Sequence, residues 1–537
     1  MAPLIETLRF ESLKNLASER FGPITSPEEE ILRLSATTEM AYPDELQERP
    51  EITGEFLRWL ATDSEAAAHI DPLGLRVNNC TIISALNLTG SKLPFRLLFQ
   101  HCNFQSEVNL RSAVLPELFF YNCTTEQGIS ADGLDSPGRI FLRNLRSAGE
   151  ISFVGAQVGG QLDCSGTSLT AEGEALSADG AHISGDVLLR EGFSSKGPIR
   201  FRGAQIGGDL DCSGASLTAE GEALSADGAK ISGNVFLSEG FSAKGAIRFN
   251  STQIGGHLDC SQAAIRYLSC EFAHLDGSLI WRALVEPDQS YLNLLGATIG
   301  TLEDDTASWP APGQLVIKGC EYRNLTHHEP STEEHLKTRR LATQRQLDVR
   351  ERIQWLMLQR DENRRDPHAW MWLAKLFKEK DDIAGYRRII CEYRSLKARA
   401  SKNPFRRKLG LLLAEIERNP WTIFIVFLPL LLLGTAIFWS SAHHMPPTNS
   451  DASRAWASGT AYPAAYPRFN PLVYTLENEL PLIKFGMDDK WAPDPNLSTQ
   501  GRSGLYWFLV CFRWFLIAAG WVQGILLTVG INRRFRD

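Results

Sequence analysis

The sequence predicts a mainly β protein: a right-handed parallel β-helix (solenoid) with an N-terminal helical cap, a helical connector and two C-terminal transmembrane helices. Three observations predict it. A 48-residue unit is duplicated in the middle of the chain, apolar positions alternate with period two inside it, and two long apolar runs lie towards the C-terminus. At 537 residues the chain is too long for one compact domain. Its 43% hydrophobic and 22% charged residues exclude both wholesale disorder and a carrier built of little but apolar spans. The net charge of −8 is too mild to imply nucleic acid as a partner. Ten cysteines are too sparse for a disulfide scaffold.

Residues 1–70 lack the period-two pattern and read as a helical cap. Met1 to Arg20 has no apolar core behind a basic start, so no cleaved secretory signal is expected; Leu4, Leu8, Phe10, Leu13 and Leu16 suggest an amphipathic helix. Thr25-Ser26-Pro27-Glu28-Glu29 is a helix-start signal. Gly54 to Ile70 is amphipathic, with Phe56, Leu57 and Leu60 on one side. A solenoid needs its open end covered, which gives this segment its expected role.

Residues 71–326 are the solenoid. Ala156 to Gly203 and Ala204 to Ser251 are both 48 residues long and share 37 identities. The phrases AQVGGQLDC, AHISGDVLL, AQIGGDLDC, AKISGNVFL and TQIGGHLDC begin at 156, 181, 204, 229 and 252, alternately 25 and 23 residues apart. One turn is therefore about 24 residues, and the 48-mer is two turns. Strands recurring at this interval cannot each bury a face alone, but stacking buries a continuous apolar column. Weaker turns extend it from about Leu73 to Cys320, about eleven turns, roughly 50 Å at ~4.8 Å each. Cys80, Cys102 and Cys123, and separately Cys164, Cys212 and Cys260, recur at equivalent positions and are expected to stack as small buried hydrophobes. The duplicated phrase TAEGEALSADG suggests a projecting acidic loop, with Glu172, Glu174 and Asp179 in one copy and Glu220, Glu222 and Asp227 in the other. Such loops could bind a cation or a basic partner, or simply keep the surface solvated.

Residues 327–404 form a basic helical connector. Over residues 331–420 there are 22 Lys+Arg and 13 Asp+Glu, interleaved with Trp355, Trp370, Trp372, Phe377, Tyr386 and Tyr393. A helix pair with a turn at Asp381-Asp382 is expected, its charge facing anionic lipid headgroups. His327, His328, Glu333, Glu334 and His335 are the one dense His/acid group; their spacing fits no standard zinc motif and suggests a surface linker.

Residues 405–537 read as the membrane region. Trp421 to Trp439 is 19 uncharged residues bounded by tryptophan, about 28 Å long at ~1.5 Å per residue. A second span is expected over about 506–531, with Arg513 inside it either snorkelling to the near interface or marking function. Arg406, Arg407, Lys408 and Arg418 precede the first span and Arg533, Arg534 and Arg536 follow the second. The positive-inside rule puts both flanks in the cytoplasm, hence residues 440–503 outside and the first 400 residues cytoplasmic.

EFLRWLATDSEAAAHIDPLGLRV, the LDCSG and ADGAxISGxVFL turns, NPLVYTLENELPLIKFGMDDKWAP and the GWVQGILLTV span together resemble bacterial membrane proteins labelled "membrane-associated oxidoreductase", relatives of pentapeptide-repeat β-helices. The resemblance implies the β-helix fold, a bacterial inner membrane and, by its label, redox activity. The residues hold no GxGxxG opening a helix after a strand, no CxxC and no haem-attachment motif. No catalytic residue, metal ligand or cofactor is therefore named. The leading expectation is a membrane-anchored cytoplasmic scaffold that binds a protein partner. The alternatives are a membrane effector whose solenoid controls the two spans, and the oxidoreductase of the label. The candidate functional residues are Arg513 and the six acidic residues of the duplicated loops.

Overall fold

The computed structural model describes residues 2–38, 49–329, 344–345, 348–463, 466–480, 483–497 and 501–535. They form two compact units, residues 1–372 and 373–537, which are taken separately.

The first unit opens with helices α1 (Ala2–Phe21), α2 (Ser26–Ala36), α3 (Gly54–Thr62) and α4 (Ser64–Ala68). The helix-start signal is a full capping box: Thr25 accepts from the Glu28 amide while the Glu28 carboxylate binds the Thr25 amide. Helices α2 and α3 bury Ile31, Leu32, Phe56, Leu57 and Leu60. In α1 only Leu13 and Ala17 are fully buried, and Leu4 and Leu8 stay exposed, so its apolar stripe is only partly used. A short strand between α2 and α3, Glu51–Ile52, pairs in parallel with Thr81–Ile82 and lies over the first turn. Gly54 sits so close to the Ala85 carbonyl (2.3 Å from where a Cβ would lie) that no side chain fits there.

The solenoid follows, about eleven turns of parallel strands. Each turn is built of short strands joined by sharp corners. Ile140–Arg143, Arg146–Ser147, Ile151–Ser152 and Gln157–Val158 make one turn; Leu162–Asp163 begins the next, directly on Ile140 and Phe141. Side chains alternate in and out along each strand, so Ile140 and Leu142 are buried while Phe141 and Arg143 face outwards. The corners need left-handed backbone, which explains the glycine excess: Gly203 and Gly228 turn the same corner with φ of 63° and 69°. Another corner is turned by Asn122 and Asn144, whose side chains bond each other at 3.0 Å.

Register explains why the repeat is two turns long. At one interior position Phe153, Ala178, Phe201, Ala226 and Phe249 succeed one another, all buried. At another, Cys164, Leu189, Cys212, Leu237 and Cys260 do so. Large and small side chains alternate from one layer to the next, so a bulky ring in one turn is matched by a small side chain in the next. The stacked-cysteine expectation is met for Cys80, Cys102 and Cys123, which occupy one position in adjacent turns. The other three sit at a different position and alternate with leucine. Burial raises the thiols of Cys123, Cys164, Cys212 and Cys260 well above the ordinary range, and those of Cys80 and Cys270 to about 12, which suits them to fill space.

The last parallel rung is Glu321–His328, joined antiparallel by Gln344–Arg345. Helix α5 (Val349–Met357) follows, and α6 (Pro367–Glu379) begins at the end of this unit.

The second unit holds α7 (Ile383–Arg399), α8 (Pro404–Arg418), α9 (Phe424–Ser440), α10 (Ser450–Ser458), α11 (Pro471–Glu479) and α12 (Ser503–Phe535). The expected turn is present: Asp382 caps α7 through the Gly385 amide, and Asp381 adopts φ of 59°. Trp421–Ser440 and Ser503–Val529 are long and apolar enough to cross a membrane, with mean hydropathy of 2.4 and 1.7. Within residues 440–503 the described segments include two helices, α10 and α11. Helix α11 runs back between α9 and α12, and glycines permit the approach: a Cβ on Gly434 would meet Thr475, and one on Gly520 the Glu479 carbonyl, at 2.4 and 1.9 Å.

Candidate functional site

The acidic loops are the first candidate. Only their first few residues project. Glu172 and Glu220 are exposed, whereas Leu176–Ser177 and Glu222–Ser225 are strands of the solenoid itself. The remaining carboxylates lie against arginines. Arg200 bonds both Glu174 and Asp179, the latter at 2.5 Å. Arg202 bonds Glu222 at 2.5 Å, and Arg248 bonds Asp227 at 2.7 Å. Asp179 and Asp227 also accept backbone amides of the next turn, from Arg202 and Asn250. Opposite charges in adjacent turns thus neutralise one another at four of the six acids. A second outward row follows the same logic, with Arg143 on Asp163 and Glu191, and Arg190 on Asp211.

The histidine group behaves differently from the expected surface linker. His327 and His328 belong to the last rung and are buried; Glu333, Glu334 and His335 lie outside the described residues. His327 Nδ1 is 2.9 Å from Asp304, and the Arg352 guanidinium binds the same carboxylate, at 2.6 Å through one nitrogen. All three side chains are at most 2% exposed, and Arg352 lies over the rings of Trp309 and Trp355. Burial alone would raise the Asp304 carboxyl, but the Arg352 charge and the bonds from His327 and Arg352 outweigh it and hold it at about 2. This is an ion cluster that ties α5 to the end of the solenoid. Among the described residues no group of three His, Cys, Asp or Glu could hold a metal.

Arg513 is the third candidate, and its guanidinium is bound within the protein. Its Nε donates to Asn478 Oδ1 at 3.1 Å and its Nη2 to the Asp488 carbonyl at 3.3 Å, with the guanidinium over the Tyr474 ring. One helical residue away, the Glu477 carboxylate accepts four successive amides, those of Phe485, Gly486, Met487 and Asp488, at 2.7–3.0 Å. Phe438, Met445, Tyr474, Met487, Trp491, Leu509 and Leu516 close an apolar shell around this polar core. The arrangement pins α11 by charge between the two apolar helices. The signal was in LENE, three polar residues ending a proline-started helix between two apolar runs; sequence reasoning read that stretch only as external loop.

Comparison of the chain with family models, with curated proteins and with solved structures finds no match in any of the three.

Proposed function

We propose that this protein is a membrane-anchored β-solenoid that acts as a binding scaffold. The observation that carries the reading is the joining, in one chain, of about eleven parallel-stacked turns to two helices long enough to span a bilayer. A stacked solenoid is stiff and presents the same outward residue type turn after turn, a surface suited to an extended partner. The Arg143–Asp163–Arg190–Asp211 row supplies ordered charge of both signs. Lys402, Arg406, Arg407 and Lys408 are exposed around the exposed ring of Phe405, ahead of the first apolar helix, and suit an anionic headgroup layer. On this reading the basic flanks lie on the cytoplasmic face of a bacterial inner membrane. The test uses full-length protein in nanodiscs, wild type against Arg143→Glu/Arg190→Glu. A partner retained by wild type, released by salt and lost from the charge-reversed variant supports the scaffold. Recovery of no partner, or one indifferent to the row, overturns it.

A second reading, an effector in which the solenoid controls the spans, is favoured by Arg513, which binds Asn478 of α11. Growth arrest or ion flux on overexpression, abolished in Arg513→Leu, is its expected signature; unchanged membrane conductance removes it.

A further inference from the structure

Helix α11 ends on a carboxylate with almost nothing to pair it. Glu479 is fully buried. Its Oε1 is reached only by Gln523 Nε2, at a long 3.5 Å, and its Oε2 meets no donor among the described residues. The carbonyl of the same residue abuts Gly520. At ~1.5 Å per residue, Gly520 lies about 26 Å along the helix from Ser503 and about 14 Å from Val529, well inside the apolar stretch.

The charged groups nearby are committed elsewhere. Helix α9 contributes no titratable residue. Helix α12 offers Gln523 and, seven residues before Gly520, Arg513, which is spent on Asn478 and the Asp488 carbonyl. On α11 itself Glu477 is held by four amides, and in the stretch that follows Lys484 lies 3.8 Å from Asp488. The C-terminal end of α11 is the partially negative end of its dipole, which gives a carboxylate no help. A half-helix that ends inside the apolar zone on an unpaired carboxylate is the arrangement that calls for a cation.

We propose that Glu479 is a proton-binding site between the two apolar helices, and that the bound proton keeps α11 docked on Gly434 and Gly520. The site rests on the reading that these helices span a bilayer. A metal ion would need a shell of several oxygens, and the described neighbours supply one carboxylate and one amide. A proton needs only the carboxylate. Its release would leave an unpaired charge in a low-dielectric site, at a cost that favours moving the helix end. A cavity of about 680 Å³ beside the site, lined by Phe424, Phe427, Leu480, Trp521 and Gln523, gives it room to move.

The experiment is infrared difference spectroscopy of the full-length protein in proteoliposomes across a pH titration, with Thr475→Cys labelling as a readout of docking. A protonated-acid carbonyl band that titrates, and that Glu479→Gln removes, supports the site. Labelling should slow on the order of tenfold at low pH, and be slow at every pH when Glu479→Gln is added, because that amide mimics the protonated acid. A band absent at all pH, one unaffected by Glu479→Gln, labelling insensitive to pH, or a response to sodium at fixed pH each overturns the proposal. Carbonate extraction of the same vesicles separates the two levels. Extracted protein defeats the spanning reading together with the site; carbonate-resistant protein without the band defeats the site alone.

Discussion

Arg352 and Asp304 illustrate how one buried pair decides local stability. Removing the guanidinium while leaving the carboxylate strands a buried charge. Arg352→Met is expected to destabilise the solenoid by about 3–5 kcal/mol in chemical denaturation, whereas the double variant Arg352→Met/Asp304→Leu should recover most of that. The pH dependence has a definite sign. The folded Asp304 carboxyl is depressed to about 2 from an ordinary value of 3.8, so its contribution is complete above the ordinary value and is lost as pH falls through about 2. That contribution is about 2 kcal/mol, and Asp304→Asn should flatten the acid limb of a stability–pH curve by this amount. Spacing could not reveal the pair, because Asp304 and Arg352 are 48 residues apart in sequence and meet only where the last rung receives α5. His327 and His328 were legible as a cluster but misplaced, since only pairing with Thr298–Asp305 puts them in the solenoid.

At the scale of elements, packing layers and helix contacts set the tolerances. Ala226 occupies the layer between Phe201 and Phe249, so Ala226→Phe would overfill it and cost about 1–3 kcal/mol. Phe201→Ala would open a cavity instead and cost about 3–5 kcal/mol. Calorimetry on both variants tests the alternation; a neutral Ala226→Phe would refute it. In the second unit Gly520→Ala puts a methyl against the Glu479 carbonyl, and something must shift. Loss of about 1–3 kcal/mol is expected on thermal unfolding in detergent, with Thr475→Cys becoming more accessible. The repeat made the solenoid turns readable, because one turn's solution recurs at fixed spacing. Helix α11 has no repeat to announce it. Its nine residues resemble any short capped helix until Gly434 and Gly520 are seen against it.

For the molecule as a whole, the prediction is that the chain behaves as an integral membrane protein. It should resist carbonate extraction, and Leu432→Arg near the middle of the first apolar helix should weaken insertion by about 2.5–3.5 kcal/mol and move protein to the soluble fraction. Full extraction of the wild type would contradict the prediction. Of the basic residues expected to set orientation, Arg406, Arg407 and Lys408 are exposed, while Arg536 lies outside the described residues.

The sequence alone determined the solenoid, its two-turn period, the helix start at Thr25 and both apolar helices. Each of these follows from local spacing, where periodicity and hydropathy act directly on the backbone. The tertiary structure alone decided which charges find partners. It paired Glu174, Asp179, Glu222 and Asp227 with arginines a turn away, buried His327 with Asp304 and Arg352, and left Glu479 with only a long bond from Gln523 among the described residues. Pairing energies depend on distance and burial, and neither exists until the chain has folded.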